Sequence, residues 1–337
     1  MSSHPRFVIV IGASAGGLNA LAEMVQSLPV ELDAAYCVVL HLSRKGIGDF
    51  VVHRLNKVTT LNCSMAVNGA EIEKGHIYVA PPNQHLLVKN GKILLGSGPQ
   101  ENRFRPSIDV LFRSAAVAYT SHAIGIILSG MLDDGTSGMW AIKRSGGICI
   151  VQDPNHAEYP DMPLSVINNM EADHVSELSA MGGLISQITS LDRRTDIPAP
   201  QDVILESQIA EKTAVGIDDI EKIADKSVFA CPDCGGNLWA VQGDILNRYR
   251  CHIGHSYTER DLVVKQAETA STTLWVALRM MEERKHLLRK LEVDYAQKGY
   301  TSLSHAQYEK KDEMQRHIDT LKDILADLQS HDTDMAY

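Results

Sequence analysis

The sequence predicts an α/β protein with a doubly wound, mainly parallel sheet, followed by a small cysteine-bearing module and a C-terminal helical hairpin. Three observations predict it. Near-continuous runs of Val, Ile and Leu, at Phe7–Ile11, Tyr36–Leu40 and Ala123–Leu128, alternate with stretches of helical spacing, as in sheets covered on both faces. Cys231-Pro-Asp-Cys234 is followed, after sixteen intervening residues, by Cys251. From Leu274 to Leu328 the apolar residues step by three, four and seven, the rhythm of packed helices.

Taken in order, Phe7–Ile11 is the first strand. Leu18, Leu21, Ala22, Val25 and Leu28 then share one helical face. Gly75–Ala80 is a strand stopped by Pro81-Pro82, and Leu86–Leu95 is a hairpin turning on Asn90-Gly91. That hairpin is a small antiparallel addition to the parallel sheet. A helix runs over Val110–Tyr119. Residues 1–190 are expected to form the α/β domain. Residues 191–227, polar and acidic with Pro198 and Pro200, read as a linker carrying a short helix near Asp218–Ala224. The cysteine module covers 228–261. In 262–337, Leu274, Leu278, Met281 and Leu288 face Met314, Ile318, Leu321, Leu325 and Leu328 across a turn at Gly299-Tyr300. This is an antiparallel hairpin or a coiled coil with another chain.

Composition excludes several classes. The 337 residues carry a net charge of −10, with 44% hydrophobic and 22% charged residues. Such a balance disfavours non-specific binding to nucleic acid or anionic membrane. No apolar run approaches the ~20 residues needed to span a bilayer. The N-terminus has no basic region ahead of a cleavable apolar segment. Of six cysteines, Cys37, Cys63 and Cys149 are scattered and read as small core residues, while the rest cluster. A reducing, cytoplasmic setting with one metal site suits this better than a disulfide framework.

Each of three strands ends on a polar residue of distinct chemistry. Phe7–Ile11 breaks into Gly12-Ala-Ser14-Ala15-Gly16-Gly17, Tyr36–Leu40 ends at His41, and Ala123–Leu128 leads to Ser129-Gly130-Met131-Leu132-Asp133-Asp134-Gly135. In an open parallel sheet these ends share one edge. Alone, Ser14 reads as a helix cap, His41 as a core histidine and Asp134 as a turn residue. Together they are the parts of an acyl-transfer site: a hydroxyl nucleophile, a base titrating near neutral pH, and a carboxylate fixing its tautomer. Turn amides at the glycines favour developing negative charge. Dinucleotide binding is the competing reading. It needs G-x-G-x-x-G and an acidic residue ending the second strand, where His41 stands instead.

On these residues the first 185 or so positions resemble the catalytic domain of the bacterial chemotaxis protein-glutamate methylesterase family, of CheB type. The segments that carry the resemblance are Ile11–Gly17, Val39-Leu-His41-Leu, Arg105-Pro-Ser-Ile-Asp109-Val-Leu-Phe112 and Gly130–Gly135, with a looser match from Gly146 to Pro163. The resemblance implies Ser14 as nucleophile, His41 as general base, Asp134 as its orienter, and the Met131 amide at the oxyanion, beside the turn residues Ala15 and Gly16. It implies hydrolysis of γ-glutamyl methyl esters on receptor helices and deamidation of glutamines there, with no catalytic cofactor. The sequence departs from the family pattern at Ala15, where threonine is usual, and at Leu132, where a second glycine is usual. The first catalytic strand starts at once, so regulation by a receiver domain in the same chain is not expected.

Cys231, Cys234 and Cys251 with His255 read as a zinc-ribbon-like site of three thiolates and one imidazole. His255 is preferred to His252, because adjacent residues rarely reach one metal together. The module resembles a C-terminal extension of some receiver-less members of the family. Its Arg248, Arg250 and Arg260 face Asp233, Asp244, Glu259 and Asp261, so no basic patch marks it as a nucleic-acid reader. Expected partners are methylated chemoreceptor helices, a receptor methyltransferase, a response regulator, or a second copy of the chain. A catalytically silent scaffold working through its C-terminal modules is the reading from another class.

Overall fold

A computed structural model describes residues 4–41, 48–191, 197–212 and 217–332, with the side chains of 329–332 excepted. Leu42, which closes the second family-like segment, and parts of the expected linker (192–196 and 213–216) lie outside the described residues. The elements are β1 (Phe7–Ala13), α1 (Gly17–Gln26), β2 (Ala34–Leu40), α2 (Gly48–Asn56), β3 (Asn62–Met65), β4 (His76–Val79), β5 (His85–Lys89), β6 (Lys92–Gly96) and α3 (Ile108–Tyr119). They continue with β7 (Ala123–Ile127), α4 (Thr136–Arg144), β8 (Ile148–Gln152), α5 (Asp161–Asn169), β9 (His174–Ser176), α6 (Leu178–Ser190), α7 (Gln201–Glu211) and α8 (Ile217–Ile220). Last come β10 (Ala224–Ala230), β11 (Asn237–Val241), β12 (Arg248–Cys251), β13 (Ser256–Thr258), α9 (Glu259–Gln297) and α10 (Thr301–Asp332).

Seven strands form one sheet in the order β3-β4-β2-β1-β7-β8-β9, and every pairing in it is parallel. The pleat explains the apolar runs. Phe7, Ile9 and Ile11 of β1 join a core with α1 and α6, while Val8 and Val10 join a second core with α3 and α4 on the other face. Each such buried aliphatic side chain contributes roughly 1.5–3 kcal/mol. The hairpin β5–β6 is antiparallel and separate from the main sheet, with Asn90 at φ 50° and Gly91 at φ 73° in its turn.

Two features differ from the sequence-based expectation. The stretch read as a linker holds α7, whose Val203, Glu206, Ile209 and Ala210 are buried. The four-stranded antiparallel sheet β10–β13 begins at Ala224, where a helix is expected to end. The cysteine module packs with the α/β domain as one compact unit, Met1–Asp261, and Leu262–Tyr337 is a second. Buried ions join the two parts of the first unit. Arg250 pairs with Glu101 at 2.7 Å, Arg248 with Glu206 at 2.6 Å and Asp244 at 2.6 Å, and Arg113 with Glu206 at 3.2 Å and also with Glu101. Against the effect of burial, the charges of Arg113 and Arg250 hold the Glu101 carboxyl down to about 2.

The second unit is an antiparallel helical hairpin. Leu278, Ile318 and Leu325 are buried at its seam, flanked by Leu274, Met281, Met314 and Leu321. The cross-pairs Glu282–Lys322 (3.2 Å) and Glu292–Lys311 (2.6 Å) run in opposite chain directions, as antiparallel helices require.

Candidate active site

The parallel register carries three side chains to one edge. Ala13 pairs with Leu40, and the His41 amide donates to Ala13 O at 3.0 Å, so Ser14 and His41 follow as lateral neighbours. On the other side Gly12 pairs with Ile127, and the Ser14 amide donates to Ser129 O at 3.0 Å. Beyond β7 the chain returns through Gly130, Met131 and Leu132 to Asp134, just ahead of α4.

The turn after β1 is tight because glycine permits it. Gly16 sits at φ 69° as the residue before α1, and a Cβ there would meet Ser129 Oγ at 2.8 Å. The Gly17 amide donates to Ser14 O, and Ser129 Oγ donates to Ala15 O at 2.9 Å, which fixes the loop carrying the hydroxyl. Gly130 is equally constrained: a Cβ would lie 2.0 Å from Met162 Sδ and 2.9 Å from Ser14 Cβ. Ser14 is partly exposed and Met131 is 41% exposed, so both are accessible from solvent. Leu132 adopts φ 68°, a conformation that costs a residue with a Cβ roughly 1–2 kcal/mol. This is the position where the family pattern has glycine.

Asp134 is buried and His41 nearly so, with Nε2 of the ring 2.9 Å from Asp134 Oδ2. The carboxylate has four further donors. Ile108 N–H reaches Oδ2 at 2.7 Å; Asn102 Nδ2 (2.9 Å), Ser107 Oγ (3.0 Å) and Asp109 N–H (3.2 Å) reach Oδ1. Two of these are first-turn amides of α3, where the helix dipole favours an anion. Burial opposes ionisation, but the hydrogen bond and charge of His41, with the Ile108 and Asn102 donors, outweigh it and hold Asp134 below the usual carboxylate range. With Nε2 committed, His41 Nδ1 is buried and has no hydrogen-bond partner among the described residues. The Phe104 ring stacks on the imidazole at a centroid distance of 3.6 Å and an angle of 8°.

Asp109 lies one helical residue beyond this cluster. It accepts from Asn102 Nδ2 at 2.7 Å, Gly135 N–H at 3.0 Å and Gly138 N–H at 2.6 Å. Burial, then the Asp134 charge, pushes its carboxyl up to about 7. Asp133, whose competition with Asp134 the sequence leaves open, instead meets Thr258 Oγ1 at 3.4 Å. The supporting residues Asn102, Phe104, Ser107 and Asp109 are not singled out by chemistry in the sequence, although Ser107 and Asp109 stand in one of the family-like segments.

In the cysteine module, Cys231, Cys234, Cys251 and His255 each place one ligand atom within 4.8 Å of the others. Cys234 Sγ and Cys251 Sγ are 3.7 Å apart, and His255 Nδ1 is 3.7 Å from Cys231 Sγ and 3.5 Å from Cys251 Sγ. A tetrahedral zinc ion with ordinary bond lengths requires edges of roughly 3.8 Å between sulfurs and about 3.6 Å from sulfur to nitrogen. The donor set fits that ion. His252 turns its ring edge-on to Trp239 instead.

Fold and constellation together define a doubly wound α/β protein with a hydroxyl, an imidazole and a carboxylate gathered at the carboxyl edge of its sheet. The CheB methylesterase family model matches residues 9–185, and the chain belongs to that family. A Leptospira interrogans relative is 39% identical over 181 residues, which cover 53% of this chain and 93% of that one. The protein-glutamate methylesterase/protein-glutamine glutaminase of Photorhabdus laumondii is 35% identical over 188 residues, covering 54% of this chain and 53% of its own. The crystal structure of the Thermotoga maritima CheB methylesterase catalytic domain matches with a TM-score of 0.52 and 31% identity, over 57% of this chain and 100% of that one. Among the described residues no helix is long and apolar enough to cross a membrane.

Proposed function

We propose that this chain is a protein-glutamate methylesterase that also deamidates glutamine, acting on methylated chemoreceptor helices in the cytoplasm. The observation that carries the reading is the buried His41–Asp134 pair, at 2.9 Å, beside the Ser14 turn. Ser14 is the nucleophile. With Nε2 held by Asp134, Nδ1 of His41 is the nitrogen left to take the Ser14 proton. Oγ then bonds to the ester carbon, and the carbonyl electrons move to an oxyanion met by the Met131 amide and the turn at Ala15 and Gly16. As the C–O bond breaks, His41 returns the proton and methanol leaves. Water, activated by the same imidazole, releases glutamate and frees Ser14. A glutamine amide follows the same route with ammonia as leaving group. The ionised Asp134 stabilises the imidazolium in each half-reaction.

Cys231, Cys234, Cys251 and His255 would hold a structural zinc ion. A phosphonate directed at activated serines tests the catalytic reading. The expected result is a single adduct on Ser14, absent from Ser14→Ala; an unlabelled wild-type chain would refute it.

A further inference from the structure

We propose that Asn102 is a positioning residue for the hydrolase reaction, and that the cysteine module, with a tetrahedral divalent metal ion on its four ligands, keeps Asn102 in place. The inference rests on the hydrolase reading above. Asn102 is buried, and its single side-chain amide nitrogen donates both to Asp134 Oδ1 at 2.9 Å and to Asp109 Oδ2 at 2.7 Å. It is thus the bridge between the carboxylate that orients His41 and its buried neighbour. Two residues on, Phe104 lies flat on the His41 ring.

The backbone that makes these contacts is a two-residue turn: Phe104 N–H donates to Glu101 O at 2.9 Å and Glu101 N–H to Phe104 O at 3.2 Å, around Asn102 and Arg103 at φ 50° and 69°. That turn sets its own shape, but its placement against Asp134 and His41 is set by what holds it from outside. One anchor is Arg113 of α3, which pairs with Glu101; the others come from the cysteine module. Asn102 N–H donates to Ser256 O at 2.8 Å, and Glu101 forms a bridge with Ser256 and an ion pair with Arg250 at 2.7 Å. Arg250 and Ser256 are register partners across β12 and β13. Each adjoins a ligand in the chain: Arg250 precedes Cys251, and Ser256 follows His255. A metal ion held by Cys251 and His255 therefore closes the turn between the two anchors. Opening that turn releases residues 101–104, and with them the Asn102 amide and the Phe104 ring.

The test uses the full chain, zinc-loaded and then stripped with a chelator, with two readouts. Amide hydrogen exchange is followed at Asn102, Ile108 and Asp109, with β1 amides as an internal reference. The rate of Ser14 labelling by a fluorophosphonate is measured on the same samples. Stripping should speed exchange at the three amides while β1 stays protected, and slow labelling at least about tenfold, the usual scale for a supporting residue; added zinc should restore both. Zinc-loaded Asn102→Ala should lose kcat with KM unchanged, and its labelling should respond less to stripping than the wild type's, the remaining response being that of Phe104. Equal labelling of loaded and stripped protein overturns this inference and leaves the hydrolase reading intact. Loaded protein that labels no faster than Ser14→Ala overturns the hydrolase reading, and this inference with it.

Discussion

Replacing Asp134 by asparagine changes one oxygen for an NH2 group and keeps the shape. Five donors converge on the native carboxylate: His41 Nε2 and the Ile108 amide on Oδ2, and Asn102, Ser107 and the Asp109 amide on Oδ1. An asparagine has one acceptor oxygen, so it satisfies the donors at only one of the two oxygen sites. If its oxygen takes the Oδ1 site, its NH2 faces the Ile108 amide and donates to Nε2. The imidazole proton is then forced onto Nδ1, and no lone pair remains to accept the Ser14 proton. If the oxygen takes the Oδ2 site, the tautomer survives, but the NH2 meets the Asp109 and Asn102 donors and the charge that stabilises the imidazolium is gone. The first case costs on the order of 10⁴-fold in kcat, about 5 kcal/mol in barrier. Either case leaves a buried backbone donor unpaired, for roughly 1–3 kcal/mol of stability. Steady-state methanol release from a methylated receptor-helix peptide, with urea unfolding of the same samples, measures both. A fall in kcat of less than about tenfold, a barrier change near 1.4 kcal/mol, would refute the assigned division of the imidazole nitrogens.

Three further outcomes are expected. Stability should fall as pH rises from about 4 to about 7. The folded carboxyls of Asp109 and Asp261 are both pushed up to about 7, Asp109 by burial and the Asp134 charge and Asp261 by burial and the Asp133 charge. The native state therefore binds more protons than the unfolded chain in that window. Urea midpoints at pH 5 and pH 8 should converge in Asp109→Asn with Asp261→Asn, and an undiminished gap would show that other groups carry it. Gly130→Ala should disrupt both the loop and the hydroxyl, because the added Cβ falls 2.0 Å from Met162 Sδ and 2.9 Å from Ser14 Cβ. The cost is about 1–3 kcal/mol of overpacking, with slower phosphonate labelling, and a wild-type labelling rate would contradict it. Purified protein should contain about one zinc per chain, lost in Cys231→Ser; metal analysis showing none in a folded wild type would remove the module's assignment.

The sheet was legible because a strand covered on both faces must be apolar along its length, as β1, β2 and β7 are. The hairpin at Asn90-Gly91 and the seam from Leu278 to Ile318 were legible for the same reason: turn chemistry and helical period are local. Helix α7 was hidden because a charged residue, Glu206, occupies its buried face. That burial depends on Arg248 and Arg113, from β12 and α3, which no local pattern announces. Arg248 and Arg250, which the sequence shows only as balanced by nearby acids, are interior, held by Glu206 and Glu101 from outside the module. Ser14, His41 and Asp134 could be picked out because each ends an apolar run. Asn102 and Phe104 could not: they sit in a loop without periodicity, and their role depends on contacts with Ser256 and His41 far along the chain.

The most direct measurement is a time course of ester content in a methylated receptor-helix peptide, read by mass spectrometry alongside released methanol. The wild-type chain should convert each γ-methyl ester to the acid with matching methanol, while Ser14→Ala leaves the peptide intact. Equal conversion by both chains, or an unchanged peptide with wild-type protein whose Ser14 reacts with the phosphonate, would contradict the account.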